Sequence, residues 1–201
     1  MMAKSNSILS VIMSNYNHSR YIGEALQAIL SQSYRPMEVI VVDDASTDNS
    51  VEVIQKFADR DTIIHFIRNK KNMGAIYDIH KLLKLAKGDY IYAAAADDWI
   101  LPGFFEKAMN VALQYPQAGI IFGQMLIFNA EGGGIGFEEV PNWKETKYVS
   151  PTTFLREYWD RISFSSQERK EAVARIQGIS MGELEQWRQD TRRKLGVNVV
   201  S

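Results

Sequence analysis

Cysteine is missing from all 201 residues, which excludes disulfides, thiolate metal sites and cysteine nucleophiles together and is compatible with a reducing compartment. A surplus of either charge is missing too. With 23 Lys and Arg against 24 Asp and Glu the formal net charge is −1, so no overall basic field marks a nucleic-acid binder and no nucleic-acid partner is expected. Long apolar runs are also absent. Ile8 to Met13 is too short for the apolar part of an export signal, and the stretch from Ala118 to Phe128 falls short of a membrane span. A soluble, cytoplasmic chain is expected, with attachment to the inner face of a membrane left open. No Gly-x-Gly-x-x-Gly and no Gly-Lys-Ser/Thr follows the first apolar run, so dinucleotide oxidoreductases and P-loop ATPases lose their main support. His18, His65 and His80 lack metal-ligand spacing, and an ordinary structural role is expected for each.

What is present suits a globular domain with a full core: 46% of residues are hydrophobic and 23% charged. Short apolar runs at Ile8–Met13, Met37–Val42, Ile63–Ile67, Tyr90–Ala94 and Gly119–Phe122 read as strands, the first and fourth as buried ones. Met125–Phe128 extends or crosses them. Between them, helical spacing runs over Tyr21–Ser33, Val51–Ala58, Gly74–Ala86 and Phe104–Tyr115. Ser19 is the expected N-cap of the first helix, and the Asp48–Ser50 region caps the second. In the third, Ile76, Ile79, Leu82/Leu83 and Ala86 make the apolar face, with Gly88 as its stop signal. Alternating strand and helix argues for a doubly wound, mostly parallel sheet flanked by helices.

After Asn129 the rhythm changes. Glu131 to Gly136 reads as a flexible loop, and Thr153–Arg161 as a short helix. From Ser163 the composition turns charged and glutamine-rich, with narrow apolar stripes at Val173/Ile176 and Leu184/Trp187 that suggest a C-terminal helical extension. Three segments are therefore expected, 1–130, 131–162 and 163–201, the last a candidate for homo-oligomer or protein contacts.

Three polar clusters end strands: Asn15-Tyr16-Asn17, Asp43-Asp44 and Asp97-Asp98. Strand C-termini share one edge of a parallel sheet, so the clusters can converge where ligands bind in such folds. Amides beside an aromatic ring suit a flat polar base. A carboxylate accepts from base or ribose donors, and an acid pair can hold a divalent cation against a diphosphate. The plainer alternative for Asp97-Asp98 is an exposed loop capping the next helix.

The segments Ser10–Asn17, Val41–Asp48, Asn72-Met73-Gly74 with Ala86–Ile91, and Ala96-Asp97-Asp98 with Pro102 resemble family 2 glycosyltransferases of the GT-A fold. The resemblance runs from about Ser7 to Phe128. It implies inverting transfer of a sugar from a nucleotide-diphosphate donor of UDP, GDP or dTDP type to a glycan or lipid-linked acceptor, with Mg²⁺ or Mn²⁺, in the setting of surface polysaccharide synthesis. Carried over, Asn15 and Tyr16 line the nucleotide pocket, Asp44, with Asp43, holds base or ribose, Asp97 meets ribose and metal, and Asp98 meets the metal. Ala95 stands where many relatives have another Asp, and Ile79 and His80 where Arg and Asn are common. The family's acceptor-side general base has no match; Glu138, Glu139 and Asp160 are the carboxylates in that region. A donor-binding domain with little transferase activity and an interaction tail is the alternative.

Overall fold

A computed structural model describes residues 8–121, 123, 126–128, 135–137 and 148–150. The chain divides into two compact units, Met1–Pro116 and Gln117–Ser201.

The first unit alternates strand and helix: β1 Leu9–Asn15, α1 Ile22–Leu30, β2 Glu38–Asp43, α2 Ser50–Ala58, β3 Ile64–Arg68, α3 Ala75–Leu85, β4 Tyr90–Ala95 and α4 Phe104–Gln114. All strand pairs are parallel, in the order β3-β2-β1-β4. The chain therefore steps outward from β1 to β3, then returns through α3 to lay β4 on the other side of β1. A crevice opens beyond the strand C-termini at such a reversal.

Strand alternation sorts the side chains into two layers. Leu9, Val11 and Met13 of β1 and Val39 and Val41 of β2 join Ile22, Leu26 and Ile29 of α1, Ile54 of α2 and Phe105 and Met109 of α4 in the larger core. Across the sheet, Ile12, Ile40 and Val42 meet only Leu82 of α3, with Ile67 and Ala86 alongside. β1 is buried on both faces, as expected. β4 is not: Tyr90, Tyr92 and Ala94 pack into the larger core while Ile91, Ala93 and Ala95 are exposed.

Several local expectations change. Ser19 does not cap α1, whose N-cap is Tyr21; its backbone N–H donates instead to Asp48 Oδ2 at 2.9 Å, while Asp48 Oδ1 accepts from Ser50 N–H at 2.9 Å at the start of α2. Burial pushes the Asp48 carboxyl up, but the Ser50 and Ser19 hydrogen bonds more than offset it and hold it at about 2. α4 opens after Gly103, in left-handed backbone at φ 78. Its first turn is closed from a distance by Gln32, whose Oε1 accepts from Phe105 N–H at 3.3 Å while its Nε2 donates to the carbonyls of Ala28 and Leu101.

Gly88 is not a left-handed helix stop, since α3 ends at Leu85 and passes into extended backbone at Ala86. It is a close-approach residue. A Cβ there would lie 2.6 Å from the Ser10 backbone nitrogen and 2.8 Å from the Ile8 carbonyl oxygen. Its N–H donates to Ser10 Oγ, which in turn donates to the buried Glu38 carboxylate. Gly88→Ala is therefore expected to push β1 and the β4 entry apart and cost about 1–3 kcal/mol, read as a lower urea midpoint.

α3 departs most. Its buried residues are Asp78 and Leu82, while Ile76, Ile79 and Leu83 are exposed. The expected face holds at Leu82 and Ala86, which pack with Ile12, Ile40 and Val42, and fails at Ile76, Ile79 and Leu83, because Asp78 takes a place on the inner side with partners beneath the helix.

In the second unit, β5 Leu126–Phe128 and β6 Ile135–Phe137 form an antiparallel pair. The strand expected at Gly119–Phe122 is absent over Gly119–Ile121, where Ile120 is 79% exposed, and Phe122 lies outside the described residues. The two β-branched residues at 120–121 carry strand propensity without a partner strand to use it. Ile135 and Gly136, expected in a loop, belong to β6. The expected helices at 153–161 and beyond 163 lie outside the described residues.

Candidate functional site

The ends of β1 and β2 are tied together by polar side chains. Asn15 Nδ2 donates to Asp43 Oδ1 at 2.8 Å and to Ser46 Oγ at 3.1 Å. Asp43 is fully buried and also accepts from Ser46 through both its N–H, at 3.0 Å, and its hydroxyl. Arg68 Nε stands 3.9 Å from Asp43 Oδ2. Asp43 is thus occupied within the protein. Among the described residues Asn15 Oδ1 is buried and accepts no hydrogen bond, an acceptor that costs stability until something donates to it. Tyr16, the next residue, is exposed. Asn17 adopts left-handed backbone at φ 58 and its Oδ1 accepts from Thr47 N–H at 2.8 Å, clipping the β1 turn to the β2 turn.

Asp44 heads a second buried network. One oxygen accepts from Asn69 Nδ2 at 2.7 Å and Met73 N–H at 2.8 Å; the other accepts from Gly74 N–H at 2.7 Å and again from Met73 at 3.0 Å. Burial pushes this carboxyl up, but the bonds from Asn69, Met73 and Gly74, with the Lys81 charge nearby, outweigh it and hold it below the usual carboxylate range. Asn69 Nδ2 also donates to Asp78 Oδ1 at 2.7 Å, and Asn69 Oδ1 accepts from Lys81 Nζ at 2.9 Å. Asp78 Oδ2 accepts from Ser14 Oγ at 2.8 Å. Two buried carboxylates are bridged by one amide whose oxygen accepts from Lys81, and the bridge fixes α3 against the ends of β1, β2 and β3.

The third cluster is different. Asp97 and Asp98 follow β4 directly and both are exposed. Neither caps α4, whose first turn is served by Gln32. Burial and then the Asp97 charge push the Asp98 carboxyl up, as expected where two acids stand side by side. The same burial, with the Asp98 charge second, pushes the Tyr92 hydroxyl up to about 12; the Tyr92 ring packs edge-on against Phe104 and Phe105. Among the described residues no group of three or more His, Asp or Glu side chains is arranged around a metal. Two adjacent carboxylates fit a Mg²⁺ or Mn²⁺ ion that draws its remaining oxygens from substrate phosphate and water.

The three clusters stand at the C-terminal ends of β2, β1 and β4, adjacent strands, on the edge where that sheet reverses. The chain matches the family model "Glycosyl transferase family 2" over residues 10–162. It belongs to that family. An uncharacterized glycosyltransferase of Haemophilus influenzae is 36% identical over 107 residues, 53% of this chain and 43% of that protein. Glycosyltransferase GlyG of Streptococcus pneumoniae is 26% identical over 187 residues, 82% and 62% of the two chains. A crystal structure of S. aureus TarS 1-349 in complex with UDP superposes with a TM-score of 0.50 at 27% identity, covering 54% of this chain and 33% of that one. The chain spans about half the length of the curated relatives it matches.

Reading the sequence alone missed Ser14, Ser46, Asn69, Asp78 and Lys81. Asn69 carried a signal, since it follows a strand just as Asn15 and Asp44 do. Asp78 carried another: it shares a helical face with Leu82 at a spacing of four. Glu138, Glu139 and Asp160 lie outside the described residues.

Proposed function

We propose that this chain is the donor-binding part of an inverting glycosyltransferase that moves a sugar from a nucleotide diphosphate to a glycan or lipid-linked acceptor, in surface polysaccharide synthesis. The observation that carries the reading is the exposed Asp97–Asp98 pair at the end of β4, one strand away from Asn15 and Tyr16. The UDP-bound TarS fragment, similar in fold, supports a nucleoside diphosphate as the ligand class.

In this reading the exposed Tyr16 ring and the unsatisfied Asn15 oxygen meet the nucleoside. Asp43 acts from behind, holding Asn15 in one orientation. Asp44, with both oxygens occupied within the protein, acts on base or ribose indirectly, by holding the Met73–Gly74 backbone in place. Asp98, with Asp97, holds Mg²⁺ or Mn²⁺. When bound, that ion offsets the charge that builds on the departing diphosphate. The acceptor hydroxyl needs a base within hydrogen-bond reach, for which Glu138, Glu139 and Asp160 are the candidates.

Calorimetric titration with UDP, GDP and dTDP, each with and without Mn²⁺, tests this. One nucleotide is expected to bind, and only with the metal. Metal-independent binding removes the role of Asp97 and Asp98, and no binding by any of the three removes the donor reading.

A further inference from the structure

α3 buries one acid and one apolar side chain, Asp78 and Leu82, and leaves its other apolar residues exposed. Its inner face carries Asp78, fully buried by Ser14 and Asn69, and its outer ridge carries Ile76, Ile79 and Leu83, exposed by 72%, 38% and 48%. The spacing of three and four places those side chains in one line. Apolar side chains aligned in this way mark an interaction surface rather than scattered exposure.

The rim of the ridge is cationic. Residues 68–87 contain six Lys or Arg and a single acid, the buried Asp78, in a chain whose net charge is −1. Lys70 and Lys71 lead into α3, Lys84 lies beside the ridge and Lys87 follows it, all exposed. A second copy of this chain docked through the same ridge would bring like charges together. Nucleic acid would engage the cations and leave the ridge in water. A bilayer surface uses both, taking the apolar ridge into the headgroup boundary while lysines extend to lipid phosphates.

We infer that α3 and its flanking lysines dock this protein on an anionic lipid bilayer. The contact is peripheral: no described helix is long and apolar enough to cross a membrane. It does not depend on the donor-binding reading, and its readout needs no transferase activity.

Co-sedimentation of the full chain with vesicles of phosphatidylcholine alone, or with about one third phosphatidylglycerol, tests it. Pelleting with the anionic vesicles at low salt is expected, with release as salt rises. Ile76→Glu with Leu83→Glu, and separately Lys84→Glu, should each weaken binding about tenfold or more. Leu113→Glu, which alters a residue on α4 that is 42% exposed, should bind like the parent. The salt response of the unaltered chain gives a readout independent of how any variant folds. Equal pelleting with both vesicle types overturns the proposal. So does no pelleting with either, whether the chain then self-associates through the ridge or binds a polyanion.

Discussion

Asp98→Asn is expected to weaken metal-dependent nucleotide binding by about 100-fold or more, because it removes one of two carboxylates available to the ion. The same change should leave the fold at least as stable. Burial first and the Asp97 charge second raise the Asp98 carboxyl in the folded protein. As pH rises past the unfolded value near 3.8, the unfolded chain ionises before the folded one. Folding is therefore penalised above that pH, and the asparagine variant escapes the penalty. Metal binding runs the other way. Protons compete for the raised Asp98 carboxyl, so affinity should fall on acidification before an ordinary carboxylate would protonate. Calorimetry with Mn²⁺ and the preferred nucleotide across a pH series, beside thermal melts, reads both effects. Unchanged binding in Asp98→Asn would remove the metal role from this pair.

The largest loss of stability is expected from Asn69→Ala. One amide group donates to two buried carboxylates and accepts from Lys81. Alanine removes one hydrogen bond from each buried acid and takes away the acceptor of Lys81, at a cost of about 3 kcal/mol at neutral pH. The pH dependence follows from Asp44, whose carboxyl lies below its ordinary value when folded. A lowered folded value supplies stability above the unfolded one and loses it as pH falls through the folded one. The gap between parent and variant should thus be widest near neutrality and narrow below about pH 3.8. Urea unfolding at two pH values checks this, and a gap independent of pH would sink the account of Asp44.

Strand positions were legible because parallel strands buried on both faces must be short and nearly all apolar, as Val39 to Val42 are. The meeting of Asn15, Asp43 and Asp98 on one edge followed from parallelism alone. What hid was any contact made by a polar side chain inside a helix. Apolar periodicity assigned Ile76, Ile79 and Leu83 to the core, whereas Asp78 takes the inner face because Ser14 and Asn69 compensate its charge there. Gln32 was invisible for a related reason: it serves Phe105 from 73 residues away. Gly88 was seen as a residue that matters but given the wrong cause, since a close approach between distant backbones leaves no local pattern. Doubling of acids at Asp43-Asp44 and Asp97-Asp98 looked alike in sequence and proved unlike in space, one pair enclosed and the other bare.

The strand order also dictates when the crevice can come into being. β1 pairs with β2 in a register that joins Ser10 to Glu38, but with β4 in one that joins Leu9 to Tyr90. Closing the second, far longer loop costs more chain entropy and rewards it only late. β1, β2 and β3 can therefore pair before β4 joins them. The ends of β1 and β2 then stand together before Asp97 and Asp98 arrive beside them, and a ligand that needed both clusters could not assist the earlier steps.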